Sequence, residues 1–462
     1  MGAYGCAAPT LCRDHVLKLD VEPLGVQLAS AAVADGELYY RGGSPGRRWT
    51  YGGVCYRAWE WNTMKEAPRS RSALRPSAFA DMGSRFKTPG VIDLARINSQ
   101  MPPSPSAVAA LRQFAGGTDG AQYADTVSRP SLCEAISAHY GEQYAVRLDP
   151  QSQICVVPGT RFAIMALAAA TAEPGDQILL PDPGYPDYVA AARSVGAVAA
   201  CVPLARSMNF QPDWSACSGL SDPALLFLNY PSNPCGACAG EGTFANAISF
   251  ASQHGCWIAH DLAYGAFCYD GRASVSILQQ PGATDVAVEM WSASKNYGLA
   301  GWRIGAVVGN PDLVERVSAL VELNFAAVWP GFQVGLTAAL TDGADEVRER
   351  VQAHEERRDV LLAALDARDA VVSRPEGGMS IWCQAPHGLD ATVLLRDYGV
   401  AAVAGDVFGA SGAGWLRLAL SVPERHLHEA ATRLRLAFDN ATRSPRAAIR
   451  PTSSPLGYTA AR

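Results

Sequence analysis

The chain has 462 residues, enough for two or three structural units with a sizeable core. Hydrophobic residues make up 48% and charged residues 18%, which speaks against a disordered or fibrous chain. The net charge of −6, with no segment concentrating Lys or Arg, speaks against non-specific binding to nucleic acid or to an anionic membrane.

Residues 1–88 read differently from the rest. Tyr39, Tyr40, Trp49, Tyr51, Tyr56, Trp59 and Trp61 lie there among Gly and Arg. Residues 37–61 predict short strands with turns around Gly42-Gly43 and Gly52-Gly53. So small a piece is hard to stabilise alone, and it reads as an extension whose aromatics pack on the main body or on a partner subunit. Its first residues, Met1-Gly2-Ala3-Tyr4-Gly5-Cys6, lack the basic patch and long apolar run of an export signal, so the cytoplasm is the expected location.

From Val91 the pattern becomes alternating strands and helices. Ile154-Cys155-Val156-Val157, Gln177-Ile178-Leu179-Leu180 and Ala224-Leu225-Leu226-Phe227-Leu228 are apolar runs of strand length, as are Trp257-Ile258-Ala259 and Val286-Ala287-Val288. Helix-period segments at 186–195 and 244–253 lie between them. Apolar strands alternating with helices predict a mostly parallel sheet covered on both faces. A helical stretch at 343–368 then leads into a second, smaller α+β unit. The expected organisation is an extension at 1–88, a large domain at 89–340 whose first part joins the small domain, the small domain at 341–438, and a tail at 439–462. That tail, rich in Pro, Ser, Thr and Arg, is predicted to be disordered. No stretch approaches the ~18 apolar residues a membrane span needs.

Twelve cysteines are scattered along the chain, and only Cys235 and Cys238 form a C-x-x-C pair. No second pair or suitably spaced His follows, so no metal site is expected. A lone pair is a weak redox motif, and thiols in a reducing cytosol are the simpler reading.

Chemistry concentrates at strand ends. Ser292-Ala293-Ser294-Lys295 places a lysine after a strand, where it can form a Schiff base with an aldehyde. Arg303, eight residues on, can meet a phosphate bidentately. Asp261 ends the strand that begins at Trp257, where open α/β sheets place ligand contacts. Asn229-Tyr230-Pro231-Ser232-Asn233-Pro234 follows another strand, and Val157-Pro158-Gly159-Thr160 a fourth. Backbone N–H groups after Gly159 and the Thr160 hydroxyl can cradle a phosphate.

This ordered set resembles the fold-type-I pyridoxal-phosphate (PLP) enzymes, the class I/II aminotransferases, and most closely the branch containing LL-diaminopimelate aminotransferase. The likeness runs over about 91–438 and includes Pro181-Asp182-Pro183-Gly184-Tyr185-Pro186, Pro375-Glu376-Gly377-Gly378 and Phe408-Gly409 with Gly412, Gly414 and Arg417. It implies the aspartate aminotransferase fold: an α/β protein with a large domain around a mostly parallel, seven-stranded sheet and a smaller α+β C-terminal domain. It further implies that Lys295 binds the cofactor aldehyde and later carries the Cα proton, and that Asp261 pairs with the pyridinium nitrogen. Asn233 and Tyr264 would meet the phenolic oxygen, and Tyr185 would stack on the ring. Gly159, Thr160, Arg161, Ser292, Ser294 and Arg303 would hold the phosphate. Tyr123 matches a tyrosine that reaches the phosphate from the other subunit, so the resemblance implies a homodimer with composite sites. Arg417, helped by Asn233 and Tyr185, would bind the α-carboxylate of an amino-acid substrate.

Several positions depart from the family. Residues 94–103 read Leu-Ala-Arg-Ile-Asn-Ser-Gln-Met-Pro-Pro, without the Gly that lets backbone approach the substrate. Arg96 there is either a surface residue or a contact for a charged substrate group. Arg161-Phe162 stands where the diaminopimelate branch prefers Lys-Glu, and residues 324–333 hold no arginine for a distal carboxylate. Transamination is the first reading. The second is elimination or replacement at the β or γ carbon in specialised metabolism, which the altered loop and the extension favour. A DNA-binding regulator would need a helix-turn-helix pattern that residues 1–88 lack.

Overall fold

The computed structural model describes four strands between Ala31 and Arg57, and residues 88–443 apart from 218–221 and 367–371. The chain divides into two units, residues 1–72 and 73–462. In the first, β1 (Ala31–Ala34), β2 (Glu37–Tyr40), β3 (Arg48–Tyr51) and β4 (Val54–Arg57) form a sheet in the order β1-β2-β4-β3. Tyr51 stands opposite Val54, and the turns expected around Gly42-Gly43 and Gly52-Gly53 lie outside the described residues.

The second unit begins with β5 (Ile92–Asp93) and continues through β6 (Ile154–Val157), β7 (Gln177–Asp182), β8 (Val198–Pro203), β9 (Leu225–Asn229), β10 (Trp257–Leu262), β11 (Ala287–Ser292) and β12 (Gly305–Gly309). Seven of these form one sheet in the order β6-β12-β11-β10-β9-β7-β8. Only β12 runs antiparallel to its neighbours, so the sheet is mostly parallel, as the apolar runs imply. Burial on both faces explains those runs: along β9, Leu226 and Leu228 enter one core while Leu225 and Phe227 enter the other. β10 and β11 extend past their apolar stretches to Leu262 and Ser292, and this polar overhang carries site residues.

Helices cover the sheet: α1 (Pro105–Ala115), α2 (Pro130–Tyr144), α3 (Thr160–Thr171), α4 (Asp187–Ser194), α5 (Thr243–His254), α6 (Pro311–Phe325) and α7 (Pro330–Asp342). α1, α2, α6 and α7 each start on proline, whose fixed φ suits a first turn and whose missing N–H costs nothing there. α8 (Ala344–Asp366) leads into β13 (Val372–Ser373), β14 (Ser380–Gln384), α9 (Ala391–Tyr398), β15 (Val400–Ala401), β16 (Val403–Ala404), β17 (Trp415–Ala419) and α10 (Glu424–Arg443). β13, β14, β17 and β16 form an antiparallel sheet in that order.

α10 runs past the end expected near Phe438, and the first residues of the anticipated tail, 439–443, are helical. Phe438 is fully buried, and Asn440-Ala441-Thr442 holds no breaker before Pro445, so nothing stops the helix at Asp439. Residues 444–462 lie outside the described residues.

β5 pairs in parallel with β15, and Leu94 N–H donates to Ala401 O at 2.9 Å. Ile92 and Leu94 pack in one core with Leu361 and Leu418, so the entering chain is tied to the C-terminal elements before it reaches the site. No helix among the described residues is long and apolar enough to cross a membrane, and no group of three or more metal-ligating side chains occurs among them.

Candidate active site

The polar ends of β9, β10 and β11 and the start of α3 surround a cavity of about 470 Å³. Thr160, Arg161, Tyr185, Asn233, Asp261, Tyr264, Ser292, Ser294, Lys295, Arg303 and Arg417 all line it, as the sequence pattern anticipates. Gly159 caps α3 beside it at φ 83°, and a Cβ there would lie 2.6 Å from Arg303 Nη2. Only glycine leaves that space between the first turn of α3 and the guanidinium, as an anion cradle requires.

Each polar side chain has a local reason for its place. β11 ends at Ser292, whose hydroxyl accepts from Ser294 N–H at 3.2 Å and caps the single helical turn Ala293–Asn296 carrying Lys295. Arg303 has φ 54°, a left-handed conformation unusual for a residue with a Cβ, just before β12 begins. Alternation along β10 sends Asp261 to the cavity and His260 to the opposite face. There His260 Nδ1 meets Glu289 Oε1, its register partner on β11, at 2.7 Å, with both side chains fully buried. His260 is thus a structural residue behind the site.

Asp261 is 5% exposed, and burial raises its pKa. Tyr188 O–H donates to Oδ2 at 2.8 Å and Ala263 N–H donates to Oδ1 at 3.0 Å, both favouring the carboxylate. Lys295 Nζ donates to Ile97 O at 2.7 Å. Burial, with Arg417 and Arg303 adding repulsion, brings the Lys295 amine down to about 8. Arg417 is buried, and its Nη1 donates to Asn233 Oδ1 at 3.2 Å while Nη2 donates to Ala95 O. Burial lowers its pKa to about 10, so it remains a cation at neutral pH. Arg161 donates from Nη2 to Tyr185 Oη at 3.0 Å and pairs through Nε with Asp187 at 2.6 Å. At the rim, Arg96 Nε pairs with Asp93 at 2.5 Å.

Tyr123 is not brought to the cavity within the chain; it stands 93% exposed after the short helical turn Thr118–Ala121. The sequence assigns no role to four further participants. Tyr188 looks like a helix core residue, with Tyr185 three positions earlier as its only signal. The carbonyls of Ala95 and Ile97 leave no signal in side-chain types. Asn229 braces the floor, donating to Asp261 O at 2.8 Å and accepting from Asn233 N–H at 2.7 Å.

The residues present fit a phosphorylated pyridine aldehyde. A half-buried amine faces the same cavity as a buried carboxylate suited to a pyridinium N–H, and an open glycine-lined cradle holds Arg303. Fold and site together define a PLP-dependent enzyme of the aspartate aminotransferase fold. Comparison with known proteins agrees. The model of the family Aminotransferase class I and II matches residues 89–434. The L-glutamine–4-(methylsulfanyl)-2-oxobutanoate aminotransferase of Bacillus subtilis is 32% identical over 350 residues, covering 74% of this chain and 88% of that one. An LL-diaminopimelate aminotransferase of Dehalococcoides mccartyi is 33% identical, covering 76% and 92%. The substrate-bound structure of BacF from Bacillus subtilis superposes with a TM-score of 0.75 at 28% identity, covering 81% and 98%. The chain belongs to the class I and II aminotransferases. It is a PLP-dependent aminotransferase acting on small-molecule amino acids, so transamination stands ahead of elimination or replacement.

Proposed function

We propose that the protein transfers the amino group of a neutral or zwitterionic L-α-amino acid, as a homodimer in which each site receives Tyr123 from the partner subunit. The observation that carries the donor class is the charge balance of the cavity. Arg417 faces inward beside Asn233, whereas the two arginines nearer the mouth already hold carboxylates, Arg96 with Asp93 and Arg161 with Asp187. Arg417 then serves the α-carboxylate and Arg303 the phosphate, while Arg96 and Arg161, the other arginines lining the cavity among the described residues, hold carboxylates of the chain itself. The relative named for glutamine, a donor with a single carboxylate, fits that reading.

Bound PLP supplies an aldehyde that condenses with amines and a pyridinium ring that draws electrons from the substrate Cα. Lys295, whose Nζ donates to the Ile97 carbonyl, would hold the cofactor through its aldehyde and would carry the proton between Nζ and the substrate Cα. Its depressed pKa leaves an appreciable neutral fraction near pH 7 for both tasks. Asp261 keeps the proton on the ring nitrogen, with Tyr188 and Ala263 N–H holding the carboxylate in its ionised form. Asn233 and Tyr264 would hold the cofactor's phenolic oxygen, and Tyr185, steadied by Arg161, would pack against its ring. The N–H groups after Gly159, with Thr160, Ser292, Ser294 and Arg303, hold the phosphate. Arg417 fixes the substrate carboxylate and so orients Cα toward Lys295.

A single turnover of PLP-loaded protein with glutamine, methionine, diaminopimelate, glutamate and aspartate tests the donor class. Release of the 2-oxo acid from a neutral or zwitterionic donor, with the amino group left on the cofactor, is the expected result. Faster turnover of aspartate or glutamate than of all the others would overturn it.

A further inference from the structure

Sequence spacing pairs Cys238 with Cys235, but the fold gives Cys238 another neighbour. Cys235 is fully buried, whereas Cys238 Sγ lies 3.9 Å from Cys268 Sγ with its S–H directed at that sulfur. The two sulfurs come from different strand-end loops. Cys238 follows Asn233 by five residues beyond β9, and Cys268 follows Tyr264 by four beyond β10. On one side the pair is boxed in by backbone. Cys268 bridges to Gly377, where a Cβ would come within 3.0 Å of Cys238 Sγ. Both cysteines also line a separate cavity of about 290 Å³ with Tyr230, Val275 and Arg272, so a small solute can reach them. No third metal-ligating side chain joins them among the described residues.

We propose that Cys238 and Cys268 are a redox-active dithiol that accepts oxidation by a hydroperoxide and stores it as an intrachain disulfide. To form an S–S bond of about 2.05 Å the two sulfurs close in from their present 3.9 Å. The Cys268 thiolate attacks one peroxide oxygen, the O–O bond breaks, and the departing oxygen takes up a proton. Cys268 is then a sulfenic acid. The Cys238 sulfur attacks Cys268 Sγ, the S–O bond breaks, and hydroxide leaves with the Cys238 proton as water. Two sulfurs are oxidised, the peroxide is reduced, and with hydrogen peroxide two waters result.

The local electrostatics assign the roles. The hydrogen bond from Cys238 lowers the pKa of Cys268, and Ser274 and Arg272 add to this against the effect of burial. The same hydrogen bond holds Cys238 as the thiol. Closing the disulfide ties the loop carrying Asn233 to the loop carrying Tyr264, so the redox state bears on two residues of the amino-acid site.

Reduced holoenzyme treated with one equivalent of hydrogen peroxide, alkylated and cleaved at Glu241 and Trp257 provides the test by peptide mass spectrometry. The expected product links the Cys238 and Cys268 peptides, is two hydrogens lighter than the reduced pair, and reverts with dithiothreitol. It should form about tenfold faster than oxidation of the partly exposed Cys201, because reactivity follows thiolate character. In Cys238→Ser, Cys268 should stop at the sulfenic acid and be trapped by dimedone. Oxidation of Cys201 without the Cys238–Cys268 link, or a Cys235–Cys238 link in its place, would overturn the proposal. The wild-type measurement decides the matter even if the variant does not fold.

Discussion

Tyr188 donates its phenolic hydrogen to Asp261 Oδ2 at 2.8 Å while its ring stacks on Phe227, with centroids 4.8 Å apart and planes 12° from parallel. The aromatic stack fixes the hydroxyl, and the hydroxyl stabilises a carboxylate that burial would otherwise push toward the protonated form. Tyr188→Phe keeps the stack and removes only that donor. A hydrogen bond to a charged group is worth about 1.5–3 kcal/mol, so kcat should fall roughly tenfold or more. The sign for pH follows from the direction of the shift. Losing a donor that lowers the Asp261 pKa raises it further, and the ionised form is lost sooner as pH falls. The acid limb of kcat/KM should therefore move to higher pH in Tyr188→Phe, and an unmoved limb would separate Tyr188 from the function of Asp261.

Lys295 illustrates the opposite direction. Its folded pKa of about 8 lies below the ordinary value of 10.5, so the neutral amine that captures an aldehyde grows as pH rises through 8. Between pH 6 and pH 8 the neutral fraction increases about fifty-fold for such a group. The capture rate of PLP by apoenzyme, followed by the visible absorbance of the bound cofactor, should rise by that order and level off above pH 9. Lys295→Ala should show no such absorbance and no turnover. A capture rate flat across this range would show that the amine is not the titrating group.

How far the site is legible in the sequence depends on which atoms carry it. Asp261 and Lys295 are legible because each follows an apolar strand run, and Arg303 because it comes eight residues after Lys295. His260 beside Asp261 looks equally polar, and only strand alternation assigns it to the other face, against Glu289. Tyr188 is illegible: it lies in the first turn of α4, and its partner comes from 73 residues away. The Ala95 and Ile97 carbonyls are illegible for a different reason, since main-chain acceptors leave no trace in residue identity. The strands themselves are legible in their apolar middles, whereas the polar ends of β10 and β11 give no periodic signal. Cys238 misleads, because spacing along the chain offers Cys235 as its partner and the fold brings Cys268.

Arg417 is buried between Asn233 and the Ala95 carbonyl, with its guanidinium carbon 5.1 Å from the centre of the Phe408 ring. That packing presents a planar fork, which a lysine cannot reproduce. Arg417→Lys should raise KM for the amino acid about a hundredfold, on the scale of ~1.5–3 kcal/mol per charge-assisted bond, while PLP stays bound. Removing the positive charge with Arg417→Met should also raise the Lys295 pKa and shift the capture profile to higher pH, because Arg417 contributes to its depression. An unchanged KM in Arg417→Lys would refute the carboxylate role.

Tyr123, 93% exposed and not among the residues lining the cavity of its own chain, makes a prediction about pairs of chains. If it serves the opposite site, Lys295→Ala and Tyr123→Ala damage different sites when combined in one dimer. The site with alanine at 295 is dead whatever reaches it. The other site keeps its own Lys295 and receives an intact Tyr123 from the Lys295→Ala subunit. Random remixing of the two variants puts half the chains into mixed dimers, so about a quarter of all sites should recover full activity. If Tyr123 instead acts within its own chain, every site that retains Lys295 lacks its tyrosine, and mixing restores nothing. Measuring kcat and the PLP dissociation constant before and after mixing separates the two cases. The same mixture run at increasing dilution should lose the recovered activity as dimers part, with the loss following subunit concentration.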